Sequence, residues 1–412
     1  MKICIAGGGL TGLSAALELT RAHDVDIYEK LPFSGGCLSS YTLSKGTTIE
    51  RFYHHCFQGD NNLFSLLSKL DLTKDLEWLK GTTGYHKNGV TFPLTSPPEI
   101  LKYPYLTFFD KLRIGLLSFR SKKVDTVRLD GISARDYIIN KVGERAYNDF
   151  FLPLLTSKFG ENKDSVSAAW LMSRIAIRSD RGLEGERLGY IKGGFSKLID
   201  GMEGELRKSG CEIKLSSPVS TIKRSGSSWE VNGTLYDTIL STIPPREFTR
   251  LSGEALPDTP YQGAACMTLG LDRDIANGIY WVNMADKAPY GALIAHTNFV
   301  PFKRYGEHIV YLASYFSGQT PKDKREDMKR DLLKRFKLPS DAILWDKMAV
   351  DPWAGPVYTV RYRELIPKYE QKGYFIAGMF SPPNYPERSM EGSIVAGQEV
   401  AEKMKCFGEK FE

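Results

Sequence analysis

The chain opens on a short apolar, β-branched run, residues 2–6 (KICIA), of the kind a buried strand shows. A glycine cluster follows at once. Residues 13–20 then place apolar side chains on one face at helical spacing, and residues 25–28 (VDIY) return to a strand pattern. The spacing therefore predicts strand, turn, helix and strand in succession. Gly7, Gly9 and Gly12 stand in the turn at the G-x-G-x-x-G spacing, and Glu29 closes the second strand about 20 residues later.

The same patterning predicts the later elements. Residues 61–181 read as mostly helical, with turn residues gathered at 182–185. Phe195, Leu198, Ile199, Met202 and Leu206 repeat at helical spacing, Gly210 follows as a C-cap, and 211–215 reads as a short strand. Asn232 and Gly233 mark a hairpin that runs into a buried strand over 238–242. Strand-like runs dominate 262–315. Residues 322–336 read as a charged amphipathic helix, 373–380 as a buried strand, and 393–404 as a final helix. There is no internal repeat and no low-complexity segment.

Nucleotide-type elements thus fall at the start, middle and end of the chain. This predicts an α/β fold with a discontinuous Rossmann-like domain (1–60, 185–250 and 365–412) and an interleaved α+β substrate domain (61–184 and 251–364). A chain of 412 residues is also long for one core.

Composition narrows the function classes. The net charge is +6, from 55 basic and 49 acidic residues, and no basic run points to nucleic acid. Cys4, Cys37, Cys56, Cys211, Cys266 and Cys406 are scattered without a CxxC, so neither a metal site nor a disulfide framework is expected. Nucleotide-type residues from position 2 onward leave no room for a signal peptide, and no apolar run is long enough to span a bilayer. A cytoplasmic location is expected. One segment, residues 100–123 (ILKYPYLTFFDKLRIGLLSFRSKK), is rich in Tyr, Phe and Leu and ends in a basic cluster. It reads as a helical lid over a hydrophobic pocket, with a helix in peripheral contact with a membrane as the alternative.

The opening motif has a physical logic. Gly7 turns the chain, Gly9 lets the backbone approach a pyrophosphate, and Gly12 lets the helix pack close to the strand. Leu10 and Thr11 stand at the helix N-terminus, whose free N–H groups and positive dipole end favour phosphate. Glu29, followed by Lys30, is placed to hold a ribose hydroxyl. Gly35 and Gly36, followed by Cys37 and Leu38, offer a second close approach.

Four blocks resemble the superfamily of FAD-dependent amine oxidases, protoporphyrinogen oxidases and phytoene desaturases. They are IAGGGLTGLSAALEL with Glu29, SGGCLSS (34–40), YIKGGFSKLIDGMEGELRKSGCEIKLSSPVSTI, and GYFIAGMFSPPNYPERSMEGSIVAGQEVAEKM. The resemblance covers most of the chain and implies a bound FAD. It also implies an adenine-side contact at Val219 and flavin-side contacts at Gly378, Met379, Gly392, Ser393 and Ile394.

The departures from the family pattern matter as well. Cys37 stands where the family turn carries arginine, and Met379 where it carries an acid. Val357 stands where monoamine oxidases carry the flavin-linking cysteine, so the FAD is expected to be non-covalent. Tyr358 matches the first tyrosine of the amine-oxidase aromatic cage and is a candidate catalytic residue, but Ser389 replaces the second. QGAACMTLGL (262–271) lacks the lysine that serves the flavin. These losses argue against simple amine oxidation.

A further stretch, IERFYHHCFQGDNN (49–62), resembles a histidine-bearing segment of UDP-galactopyranose mutases, with His55 on the matching position. His55 is expected against the flavin and His54 less so. His296 with Asn298, and Arg361 with Arg363, are lesser candidates for substrate contact. The expected activity is oxidation or desaturation of a hydrophobic, isoprenoid or cyclic small molecule. The alternatives are a flavin-dependent mutase and a non-catalytic carrier of the Rab escort type. The electron acceptor and oligomeric state are left open.

Overall fold

The computed structural model describes residues 1–44, 46–178 and 186–408. The turn expected at 182–185 lies outside the described residues.

The opening elements form as the pattern predicts. Strand β1 (Lys2–Ala6) leads through the glycine turn into helix α1 (Leu10–Leu19) and strand β2 (Asp24–Tyr28). All five strands of this sheet run parallel, in the order Phe375–Ile376, Thr238–Ser241, β1, β2, Glu212–Lys214. Three distant stretches of chain therefore build one sheet. Its central strands are buried on both faces, which explains their continuous apolar character. The final helix, Met390–Gly408, lies across α1. A Cβ on Gly397 would stand 2.5 Å from the Thr11 carbonyl oxygen, so this crossing needs a residue without a side chain.

In a second, seven-stranded sheet Tyr261–Leu271 stands second from one edge, pairing antiparallel with His308–Phe316 on the inner side and with the edge strand Ile343–Pro356 on the outer. Helices between 97 and 178 cover this sheet with their own core around Tyr147, Phe151, Phe159 and Trp170. The hairpin forms at Asn232 and Gly233, both at positive φ (51° and 82°), as a tight type I′ connection requires.

Two expectations need correction. The stretch read as helical contains three strands, Leu76–Gly81, Thr83–Lys87 and Val90–Pro93. The first pairs with Glu186–Ile191 and the second with Trp281–Met284, so partners far along the chain decide their conformation. The strand expected over 373–380 shrinks to Phe375–Ile376, after which Gly378, Ser381 and Asn384 bond among themselves. A long strand, Ile343–Pro356, runs through Pro352 where the pattern predicts no element. It lies at the sheet edge, where proline is tolerated, beside a register shift opposite Gln262 and Ala264.

Candidate functional site

The carboxyl ends of β1 and β2 open into a cavity of about 1370 Å³ that runs beneath the helical layer. Small-molecule pockets commonly measure ~300–1,000 Å³, so this volume suits a large cofactor together with a substrate. Its lining includes Gly7, Gly9, Leu10, Thr11, Glu29, Lys30, Gly35, Gly36, Cys37, Leu38, Gly378, Met379 and Ser393, together with His54 and His55. Most of the sequence-predicted contacts are thus brought together on one wall.

The glycines do different work there. Gly9 has an extended backbone (φ −77°) as the N-cap of α1, and a Cβ built on it meets nothing within 4 Å. Its value is the open space before it, not a special dihedral. A Cβ on Gly12 would stand 2.1 Å from the Gly7 carbonyl oxygen, so Gly12 packs the helix on the turn and lies outside the lining. Gly7, Gly35 and Gly36 sit at positive φ (113°, 97° and 54°), which glycine adopts without strain. Gly35 N–H donates to the Gly8 carbonyl at 2.8 Å and ties the two glycine turns together.

Glu29 is buried. It accepts from Gly8 N–H at Oε2 and from Leu31 N–H at Oε1, both at 2.9 Å. Each carboxylate oxygen has a second lone pair for a ribose hydroxyl. The first N–H groups of α1, at Leu10 and Thr11, have no partner within the helix. Arg388 also lines the cavity and carries a buried Nη1 with no hydrogen-bond partner among the described residues. Open space at Gly9, an available helix N-terminus and Glu29 together fit an FAD.

Four predicted contacts fall outside the lining. Gly12 is one. Gly392 faces the Asn384 side chain, where a Cβ would stand 2.5 Å from Oδ1. Ile394 is buried in the main core. The final helix starts at Met390, three residues before the expected start, so its first turn carries Met390 and Ser393 to the cavity and turns Ile394 inward. Val219 packs against the cluster of Ile222, Trp229 and Tyr236, although its neighbour Ser217 bonds to the Glu29 carbonyl.

Tyr358 requires the clearest correction. It is buried away from the cavity, its hydroxyl donates to the Asn384 carbonyl at 2.8 Å, and its ring packs on Tyr362 and Tyr385. It supports the 378–393 loop instead of facing a substrate. His296 is likewise enclosed, bonded to the Tyr305 hydroxyl at 3.1 Å, and Asn298 donates to Asp274. Arg361 and Arg363 are exposed on the surface.

Both histidines of the 49–62 loop reach the cavity. His55 Nδ1 lies 3.1 Å from the Tyr280 hydroxyl, and Phe57, Tyr280, Trp281 and Phe299 surround the ring. His54 Nδ1–H donates to the Phe52 carbonyl at 2.7 Å, and burial lowers its pKa to about 4, so it is neutral at physiological pH. The loop is anchored by Glu391, whose carboxylate accepts from the Asn62 and Leu63 N–H groups at 2.9 Å. A carboxylate at a helix N-terminus is electrostatically favourable there.

Sequence reasoning missed the polar heart of the cavity. Lys158 Nζ donates to the Tyr315 hydroxyl at 3.1 Å, and the Tyr315 and Tyr53 hydroxyls share a second hydrogen bond at 3.1 Å. Burial raises the Tyr315 phenol, but Lys158 and Arg388 outweigh it and bring the phenol below its ordinary range. Burial and the neighbouring Tyr315 push Tyr53 the other way. Burial also lowers Lys158. Arg174, 3.8 Å from Glu387, completes a basic group with Lys158 and Arg388. Residues 262–271 hold no lysine, but Lys158 of helix Leu152–Phe159 lines the cavity, and the Gln262 side chain donates to its carbonyl at 3.0 Å. No local motif marks this cluster; long-range folding assembles it.

The model of a family described as flavin containing amine oxidoreductase matches residues 10–405. Zeta-carotene desaturase of Arabidopsis thaliana is 34% identical over 169 residues, covering 35% of this chain and 30% of the relative. The matched desaturases are spanned over only 18–43% of their own length. A solved structure from Exiguobacterium sp. 255-15, named for protoporphyrinogen oxidase, superposes with a TM-score of 0.78 at 19% identity, covering 98% of each chain. Reduced UDP-galactopyranose mutase superposes with a TM-score of 0.76 at 17% identity, covering 98% of this chain and 96% of the mutase. At these identities the two superpositions establish the fold.

Proposed function

Because the chain belongs to the flavin-containing amine oxidoreductase family, we propose that it dehydrogenates a hydrophobic small molecule that carries a polar or acidic group. The cofactor is FAD, as in the rest of the family, and the protein is an oxidoreductase. A bound FAD counts against the carrier reading, which needs no flavin. The observation that supports the proposal best is the single cavity. It joins the Gly9 and Glu29 wall, the Lys158–Tyr315 cluster, and an apolar chamber walled by Leu94, Ile114, Leu117, Phe150, Trp170 and Ile175.

When bound, FAD supplies a two-electron acceptor; the protein supplies binding, orientation and the handling of charge. Glu29 and the N-terminus of α1 hold its ribose and pyrophosphate. Val357, in the position of the flavin-linking cysteine, leaves the cofactor dissociable. The apolar chamber excludes water and aligns the substrate body. Tyr315 Oη, held between Lys158 Nζ and Tyr53 Oη, takes the proton that leaves as the substrate is oxidised. Lys158, Arg174 and Arg388 attract the substrate's polar end. A desaturase-like reaction on an isoprenoid or cyclic skeleton fits this division.

The test is product analysis. Purified yellow protein is incubated with isoprenoid, cyclic and amine candidates and an artificial electron acceptor, and products are weighed by mass spectrometry. A product lighter by two hydrogens supports the reading. An isomer of unchanged mass, formed with the flavin reduced throughout, would support the mutase alternative instead. Acid precipitation should release all the yellow colour into the supernatant, and colour left in the pellet would contradict non-covalent binding.

A further inference from the structure

Helix Phe108–Arg120 presents an unusual outer face. Phe108, Phe109, Leu112, Leu116 and Phe119 point outward together, at 67%, 68%, 52%, 48% and 81% exposure. At 100° per residue they fall within one narrow stripe, with Gly115 among them and Arg113 and Arg120 along its flank. Water-facing helices usually place charge there, and large exposed apolar patches mark binding surfaces. Leu101, on the preceding helix, extends the patch at 57% exposure.

Charge selects the occupant. Residues 100–123 contain six basic residues and one acid. The acid, Asp110, is buried and bonded to Thr107 and Arg145, so it does not offset the basic rim. A second copy of the chain would bring Arg113 and Arg120 against the same side chains, which repel. An apolar stripe bordered by cations is instead complementary to an anionic lipid surface, where rings enter the headgroup boundary and cations meet phosphate. No helix among the described residues is long and apolar enough to cross a membrane, which leaves surface docking.

The same helix walls the cavity. Leu101, Phe108, Leu112 and Leu116 belong both to the exposed stripe and to the cavity lining, and Lys111 and Ile114 continue inward. The stripe therefore rims the cavity mouth. We infer that helix Phe108–Arg120 docks the protein on anionic lipid membranes, with the cavity mouth opening into the bilayer surface. A substrate dissolved in lipid then enters without crossing water. This last consequence rests on the function proposed above; the docking does not.

The docking is tested without substrate. FAD-loaded protein is sedimented with phosphatidylcholine vesicles, with and without phosphatidylglycerol, and compared with a Phe109→Asp/Phe119→Asp variant. Both rings are fully outside the cavity lining, so flavin content and Tm report intact folding. The parent should pellet with the anionic vesicles, less so at high salt. The variant should bind at least about tenfold more weakly, with its flavin unchanged. The inference would be overturned by a parent that stays in the supernatant, by equal binding of parent and variant, or by indifference to phosphatidylglycerol. A parent that forms concentration-dependent dimers abolished by the variant, without binding vesicles, would overturn it in favour of self-association.

Discussion

The two ends of the cavity are built in opposite ways. The cofactor end starts from a local motif: Gly7, Gly9 and Glu29 lie within one strand–helix–strand unit that Gly12 packs together, and Glu29 accepts from backbone N–H groups. The proposed reacting end is assembled from the side chains of Tyr53, Lys158, Tyr315 and Arg388, which lie on four separate stretches of chain. A site that holds a common cofactor can be a portable backbone motif. A site that handles one substrate depends on where the whole fold brings its side chains.

If that contrast is right, damage to the two ends should separate. Gly12→Ala should have the largest effect. Its methyl group meets the Gly7 carbonyl, so the turn itself must move. The overpacking cost is about 1–3 kcal/mol, and both Tm and flavin content should fall. Gly9→Ala meets no protein atom within 4 Å, so the apoprotein should keep its Tm while flavin retention is lost. Equal Tm losses in the two variants would break the assignment of space to Gly9 and packing to Gly12. Glu29→Ala should weaken FAD by about 1.5–3 kcal/mol, the scale of a hydrogen bond to a charged group, read as a rise in Kd.

The same contrast explains what the sequence disclosed. The glycine unit, the hairpin at Asn232 and the helix from Ser196 to Lys208 follow from local spacing and could be read directly. Four family-like blocks carried the cofactor. Tyr358 misled because its match to the aromatic cage is a match of position, while its hydroxyl is taken by the Asn384 carbonyl. Val219 and Ile394 misled for a related reason: an apolar residue in a matching block can equally be packing. Lys158 and Tyr315 carried no local signal, since a lysine near the end of an amphipathic helix reads as solvated until the facing strand is known. The strand that carries Tyr315 was read, but not which face of it meets the cavity.

Smaller effects sharpen the reacting end. Tyr315 is held below the ordinary phenol value of about 10, so turnover should rise with pH through an inflection below that value, as the phenol loses its proton. Arg388→Gln should move the inflection upward, because one of the two cations that lower it is gone. An inflection that stays in place would show that another group titrates. His55→Ala should shift the flavin potential by roughly 20 mV, the equivalent of about 1 kcal/mol for a two-electron couple. His54→Ala should do less. Identical spectra and potentials in both variants would reduce the histidines to ordinary loop residues.

The separation of holding from reacting is tested most directly by anaerobic stopped-flow bleaching of the flavin in the parent and in Lys158→Met, each with a substrate identified by the product assay. Methionine keeps the length of the side chain and leaves the backbone carbonyl that accepts from Gln262. The account predicts equal FAD content and Kd in the two proteins, with bleaching slowed and its pH inflection moved upward in the variant, because Tyr315 loses the cation that lowers its phenol most. Unchanged bleaching, or loss of FAD together with activity, would contradict it.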